Sequence, residues 1–158
     1  MLRISKLTDY GTVVLACLAS APDRRVTATE VAERTRLAVP TVSKLLKCFH
    51  RAGLVTSTRG AHGGYKLARA STSISAASII DAVEGPVAIT ECSGQHSACD
   101  IESFCRTGSA WQRINGAIRR SLEEVTLAQL AGHEAVAIWR PELASTVRLG
   151  SGRSTGRA

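Results

Sequence analysis

Apolar residues recur along the amino-terminal half of this chain at helical spacing. Leu7, Tyr10, Val14 and Leu18 fall three or four residues apart, which predicts a helix from Ser5 to about Ala19 with one buried face. Ala21-Pro22-Asp23 ends it. Thr27 and Glu30 then have the spacing of a capping box, with Val26 and Val31 placed around them as a hydrophobic staple. Together they start a second helix near Ala28 that runs to about Thr35. After a turn through Arg36–Val39, Pro40 stands where the first residue of a helix tolerates proline. Val42, Leu45, Leu46 and Phe49 follow at i, i+3, i+4 and i+7, and Gly53 supplies the stop.

The polar positions of that third helix form a set of their own. Thr41, Ser43, Lys44, Lys47, His50 and Arg51 lie opposite its apolar stripe, hydroxyls near the start and cations along the body. Two short helices joined by a four-residue turn, the second exposing polar and basic residues, make a helix-turn-helix pattern. Next come two strand-like runs, Leu54–Arg59 and Tyr65–Ala68, around Gly60-Ala61-His62-Gly63-Gly64. Three glycines there permit a tight hairpin, and a hairpin directly after a recognition helix is a wing. Arg59 and His62 flank its tip, where a cation could enter a minor groove, and Lys66 could reach phosphate. The expected DNA-binding residues are therefore Thr41, Ser43, Lys44, Lys47, Arg51, Arg59 and His62. The bland alternative for each is an ordinary solvated face; the hairpin beside them favours DNA.

Farther along, Ser75 caps a helix carrying Ala76, Ile79, Ile80 and Val83, closed by Gly85-Pro86. From Ser109 onward, Trp111, Ile114, Ile118, Leu122 and Val125 place one apolar stripe along four turns. A helix appended to an already complete small domain is expected to bury that stripe against a second copy of itself. Packing back on its own domain is the competing arrangement. Thr126–Leu130 reads as one more helical turn, and Gly150–Ala158 has the composition of a disordered tail. The expected fold is thus mainly α, a winged helix-turn-helix domain with a C-terminal dimerisation helix. It divides into residues 1–85, a cysteine loop at 86–108, the dimerisation helix with its short follower at 109–131, and a tail at 132–158.

Charge sharpens this picture. Residues 1–70 carry twelve Lys/Arg against four Asp/Glu, whereas residues 71–105 carry five acids and no Lys or Arg. A basic amino-terminal half is the footprint of a polyanion binder. No run approaches the roughly 18 apolar residues of a membrane span, and the opening MLRISKLTDYG lacks a secretory pattern. Five cysteines, an odd number, argue against a disulfide framework and for a reducing, cytoplasmic setting.

Three of those cysteines fall in the segment ECSGQHSACDIESFC, with six residues between Cys92 and Cys99 and five between Cys99 and Cys105. Structural zinc sites draw thiolates from tight C-x-x-C turns. Wider spacing suits an iron–sulfur cluster, whose iron atoms are spread apart. Three thiols leave one ligand to find: His96, Glu91 and Glu102 are nearby, and Asp9 could reach in from a partner subunit. Zinc with a fourth ligand and a metal-free thiol switch are the rival readings. Cys17 and Cys48 fall among apolar neighbours and read as small core residues. An enzyme using Cys92 or Cys105 with His96 as base is disfavoured, because no oxyanion loop, acid pair or orienting group accompanies them.

Taken together, the opening MLRISKLTDYG, the helix pair ATEVAERTRLAVPTVSKLLK, the wing AGLVTSTRGAHGGYKLAR, the segment IIDAVEGP and the three spaced cysteines resemble the Rrf2 family of bacterial winged-helix regulators. The likeness covers roughly residues 1–130, and the opening and wing look most like the branch that regulates the SUF iron–sulfur assembly system. It implies a homodimer on a palindromic operator that senses cluster status, nitric oxide or redox state. By the same resemblance Thr41, Ser43 and Lys44 enter the major groove, Arg59 enters the minor groove, and Cys92, Cys99 and Cys105 hold a 2Fe–2S or 4Fe–4S cluster. IscR-like members take a fourth ligand from a histidine three residues past the last cysteine, where this chain has Gly108. NsrR-like members recruit an aspartate from the partner's first helix, the place that Asp9 occupies. The glutamate with which IscR-like members discriminate operators is replaced by Ser43.

Overall fold

The computed structural model describes residues 4–60, 62–90, 93 and 107–134. The first helix, α1 (Lys6–Ala19), begins where Ser5 accepts the Thr8 backbone N–H on its hydroxyl. The capping box at α2 (Ala28–Thr35) forms in full: Thr27 accepts from the Glu30 N–H, and Glu30 accepts from the Thr27 N–H. These bonds, joined by the Arg24 guanidinium, pull the Glu30 carboxyl down to about 2. Both staple residues, Val26 and Val31, are fully buried.

Arg36 ends α2 in the left-handed region, at φ 57°, and is the one non-glycine with positive φ among the described residues. This residue makes the turn into α3 (Val39–Arg51), which starts one residue before Pro40. Proline is harmless there, since first-turn N–H groups have no intrahelical acceptor.

Val42, Leu45, Leu46 and Phe49 of α3 are all fully buried against Val14, Leu15 and Leu18 of α1. The close approach depends on Gly11: a Cβ at that position would stand 2.8 Å from Cζ of Phe49. A mid-helix glycine costs α1 roughly 1 kcal/mol relative to alanine, and the Phe49 ring fills the space it leaves.

Two strands follow, β1 (Val55–Thr58) and β2 (Gly64–Leu67), antiparallel with Val55 opposite Leu67 and Thr58 opposite Gly64. The hairpin is fastened to the body because Val26 and Tyr65 exchange both backbone hydrogen bonds, at 2.9 and 2.8 Å. A short 3-10 turn at Ser71–Ser73 leads to α4 (Ala76–Glu84), capped by Ser75, with Ala77, Ile79 and Ile80 buried. The last helices among the described residues are α5 (Gly108–Glu124) and α6 (Leu127–Leu130).

Two helices with an outward α3 and a two-stranded hairpin directly behind it constitute a winged helix-turn-helix. The short turn expected at Thr126–Leu130 forms as α6, and its packing was not specified by the sequence. The chain after α5 folds back into the core: Ser75 and Thr126 form a β-bridge, the Leu127 N–H donates to the Ile74 carbonyl at 2.7 Å, and Leu127 is fully buried. The tail from residue 135 onward lies outside the described residues.

Because Phe49 occupies the space over Gly11, Gly11→Val should overpack the α1–α3 contact. Denaturant unfolding is expected to show a loss of about 1–3 kcal/mol, with Gly11→Ala less affected. Equal stability of the valine variant would contradict this packing.

Candidate nucleic-acid interface and its link to the cysteine segment

Burial of one face of α3 decides what the other face offers. Lys44, Lys47 and Arg51 are exposed, Thr41 and Ser43 half-buried at the helix start. None of the three cations makes an ion pair among the described residues; Arg51 donates only to Sγ of Cys48, at 3.5 Å. The start of α3 carries no capping side chain and no acid in its first turn, so the positive end of the helix dipole faces outward undiminished.

The wing lies directly after this helix. Nδ1 of His50 sits 3.1 Å from the Val55 carbonyl oxygen, so this exposed member of the polar face also ties α3 to β1. At the tip, the Gly63 N–H donates to the Gly60 carbonyl at 2.9 Å. A Cβ on Gly63 would stand 2.4 Å from the Thr58 carbonyl oxygen, so only glycine fits this turn. Arg59 and His62 are both exposed beside it, and Lys66 is exposed on β2. The structure thus brings Thr41, Ser43, Lys44, Lys47 and Arg51 together on one helix, and Arg59 with His62 at a separate protrusion.

Cys92, Cys99 and Cys105, together with Glu91, His96 and Glu102, lie outside the described residues. The described residues on either side of them are held by polar contacts that the sequence reading did not pick out. Asn115 of α5 is 7% exposed. Its amide donates to the carbonyls of Val87 and Ser93, at 3.1 and 3.3 Å, and its oxygen accepts from the Ile89 N–H at 3.2 Å. The stretch leading into the first cysteine is therefore bound to the middle of α5. Arg119, one turn on, makes a paired contact with both Asp81 oxygens, at 3.2 and 2.9 Å, and a further one with Glu123 at 2.9 Å. These bonds fix α5 to α4. The only sequence signal for Asn115 was a weak helix former in the middle of an amphipathic helix.

Glu84, the last residue of α4, accepts hydrogen bonds from the Thr8 hydroxyl and from the Ser5 N–H, and these hold its carboxyl below the usual range. This contact pins the start of α1, where Asp9 is exposed. Along α5, Trp111 and Ile114 stay exposed, while Ile118 and Leu122 are half-buried. Cys17 and Cys48 are half-buried rather than core, each at the border of a buried face; desolvation pushes the Cys17 thiol up. No helix among the described residues is long and apolar enough to cross a membrane.

An uncompensated basic recognition helix beside a fastened wing defines a DNA-binding transcriptional regulator rather than an enzyme. The chain belongs to the Rrf2 family, described as an iron-dependent transcriptional regulator, whose family profile matches residues 4–133. Protein rrf2 of Nitratidesulfovibrio vulgaris is 32% identical over 130 residues, covering 82% of this chain and 87% of that protein. Among solved structures, CymR, the global cysteine regulator of Bacillus subtilis, is similar with a TM-score of 0.65 and 29% identity, covering 85% of this chain and 99% of that one. IscR of T. potens is similar with a TM-score of 0.62 and 30% identity, covering 88% and 93%.

Proposed function

We propose that this regulator acts as a cytoplasmic homodimer on a palindromic operator, gated by an iron–sulfur cluster on Cys92, Cys99 and Cys105. Three thiolates with a carboxylate are a donor set that suits cluster iron, and Asp9 of the partner subunit is the candidate fourth ligand. Cys92, Cys99 and Cys105 would hold a 2Fe–2S or 4Fe–4S cluster, which would supply an oxidisable centre there. The cluster is supported by the family description as an iron-dependent regulator. The observation that carries its link to the DNA-binding body is the anchorage of the segment around Cys92 on Asn115 of α5.

The rest follows from the chain's own residues. The exposed stripe of Trp111 and Ile114, continued by Ile118 and Leu122, gives α5 a face for a second copy. Cys92 adjoins Ser93, which Asn115 holds, and Cys105 stands three residues before the start of α5, so a change at these thiols would reach both. Arg119 and Asp81 would carry it on to α4 and the winged body. The angle between two bodies then decides whether both α3 helices meet half-sites about 34 Å apart or a multiple of that spacing. Thr41, Ser43 and Lys44 would read the major groove, Lys47 and Arg51 contact phosphate, and Arg59 with His62 approach the minor groove. The opening and wing motifs favour genes of SUF iron–sulfur assembly, or of a redox or nitric-oxide response, as targets.

A second reading is favoured by one finding: a similar solved structure, CymR of Staphylococcus aureus, is described in an oxidized form. In that reading the same three thiols form a switch without a cluster, metal-free or zinc-bound.

Anaerobic reconstitution with iron and sulfide separates the two. The cluster reading expects charge-transfer absorption in the visible range that is lost in Cys99→Ser. A colourless protein holding one zinc per chain, or no metal, would overturn it and leave the DNA assignment standing. For DNA, Lys47→Ala should weaken binding to all sequences alike and lower the salt slope by about one unit. Arg59→Ala should lose preference for A·T-rich minor-groove positions. Unchanged preference in quantitative footprints would argue against the wing assignment.

A further inference from the structure

The recognition helix exposes a side chain that cannot form a hydrogen bond. Val39, its first residue, is 43% exposed. In a helix, residues four apart stand in one ridge, so Val39, Ser43, Lys47 and Arg51 form a single row along α3. Its order is apolar, hydroxyl, cation, cation. Pro40 beside it is exposed and likewise has no donor to offer. Two cations at the far end of a row suit phosphates, while the N-terminal residues of such a helix meet base edges in the major groove. The apolar group on a base edge in that groove is the C5-methyl of thymine.

From this row we infer that Val39 is a specificity residue that selects thymine by packing on its methyl group. The inference rests on the proposed insertion of α3 into the major groove and deepens it. Cytosine offers hydrogen at the same ring position and an amino group beside it, so Val39 gains no contact there and leaves that donor without a partner. Ser43, one turn along the row, is placed to accept or donate a hydrogen bond at a neighbouring base. In this arrangement the first two members of the row discriminate by different chemistry.

Replacing thymine by deoxyuridine removes the methyl group and leaves every hydrogen-bonding atom of the base in place, which makes it the direct probe. The full chain, in whichever thiol state binds DNA, is used to select a duplex from random sequence. Affinities are then measured for that duplex and for its fully uracil-substituted copy. The wild type should bind the uracil duplex about fourfold more weakly for each contacted thymine, the worth of one buried methyl. Val39→Ala should bind the thymine duplex more weakly and show a clearly smaller thymine-to-uracil ratio than the wild type, whereas Val39→Ile should keep the ratio. Because the ratio is taken within each variant, partial unfolding does not alter it. A wild-type ratio of one, or the same ratio in Val39→Ala, overturns the inference while leaving DNA binding intact. A wild type that selects no duplex at all overturns the DNA reading and this inference together.

Discussion

The geometry of this molecule depends on one contact, the Phe49 ring lying over Gly11. Two helices can approach that closely only where one lacks a side chain, and the approach sets the rotation of α3 about its own axis. Once Val42, Leu45, Leu46 and Phe49 are committed to the core, helical periodicity leaves Val39, Ser43, Lys44, Lys47 and Arg51 facing out. The outward face is therefore a consequence of the inward one. The wing is positioned by the same logic. Val26, a core residue at the foot of α2, pairs with Tyr65, and the Gly64 backbone approaches its carbonyl too closely for a Cβ.

A second set of contacts connects this body to the elements that would gate it. They are polar where the core is apolar, and each joins parts of the chain far apart in sequence. Glu84 holds the start of α1, Asp81 holds Arg119, and Asn115 holds the stretch entering the cysteine segment. A half-exposed ion pair contributes little to stability, typically below about 1 kcal/mol, but it specifies direction. Asn115 differs because it is buried, and its removal would leave backbone groups unpaired at a cost of about 1–3 kcal/mol each. That bond makes α5 and the approach to Cys92 move together under the proposed mechanism.

The parts of this fold legible in sequence were those written in local, repeating signals. The stripe in α3, the Thr27–Glu30 box and the glycine-rich wing each follow from a few adjacent residues, and the helix-turn-helix with its wing followed from them. The turn between α2 and α3 was legible in its place but not in its conformation, because Arg36 is left-handed without being glycine. The return of Leu127 into the core was equally hidden, since nothing in residues 126–130 names its partner on the far side of α4. His50 lies on the polar face as its spacing placed it, but its contact with Val55 was hidden because periodicity assigns a direction, not a hydrogen-bond partner. Asn115 was missed for the same reason. Candidate groove contacts could thus be read from spacing, but the links among them depend on tertiary neighbours.

The central claim is that the state of three thiols on the approach to α5 governs how well two α3 helices engage DNA. Fluorescence anisotropy of one labelled duplex from the protein's own promoter, titrated under strict anaerobiosis, measures this directly. The same preparation is tested as reconstituted, after chelation and reduction, and after oxidation. The account predicts at least a tenfold difference in affinity between two of these states, and collapse of that difference in Asn115→Ala with its thiols still reactive. Equal affinity in all three states would contradict it.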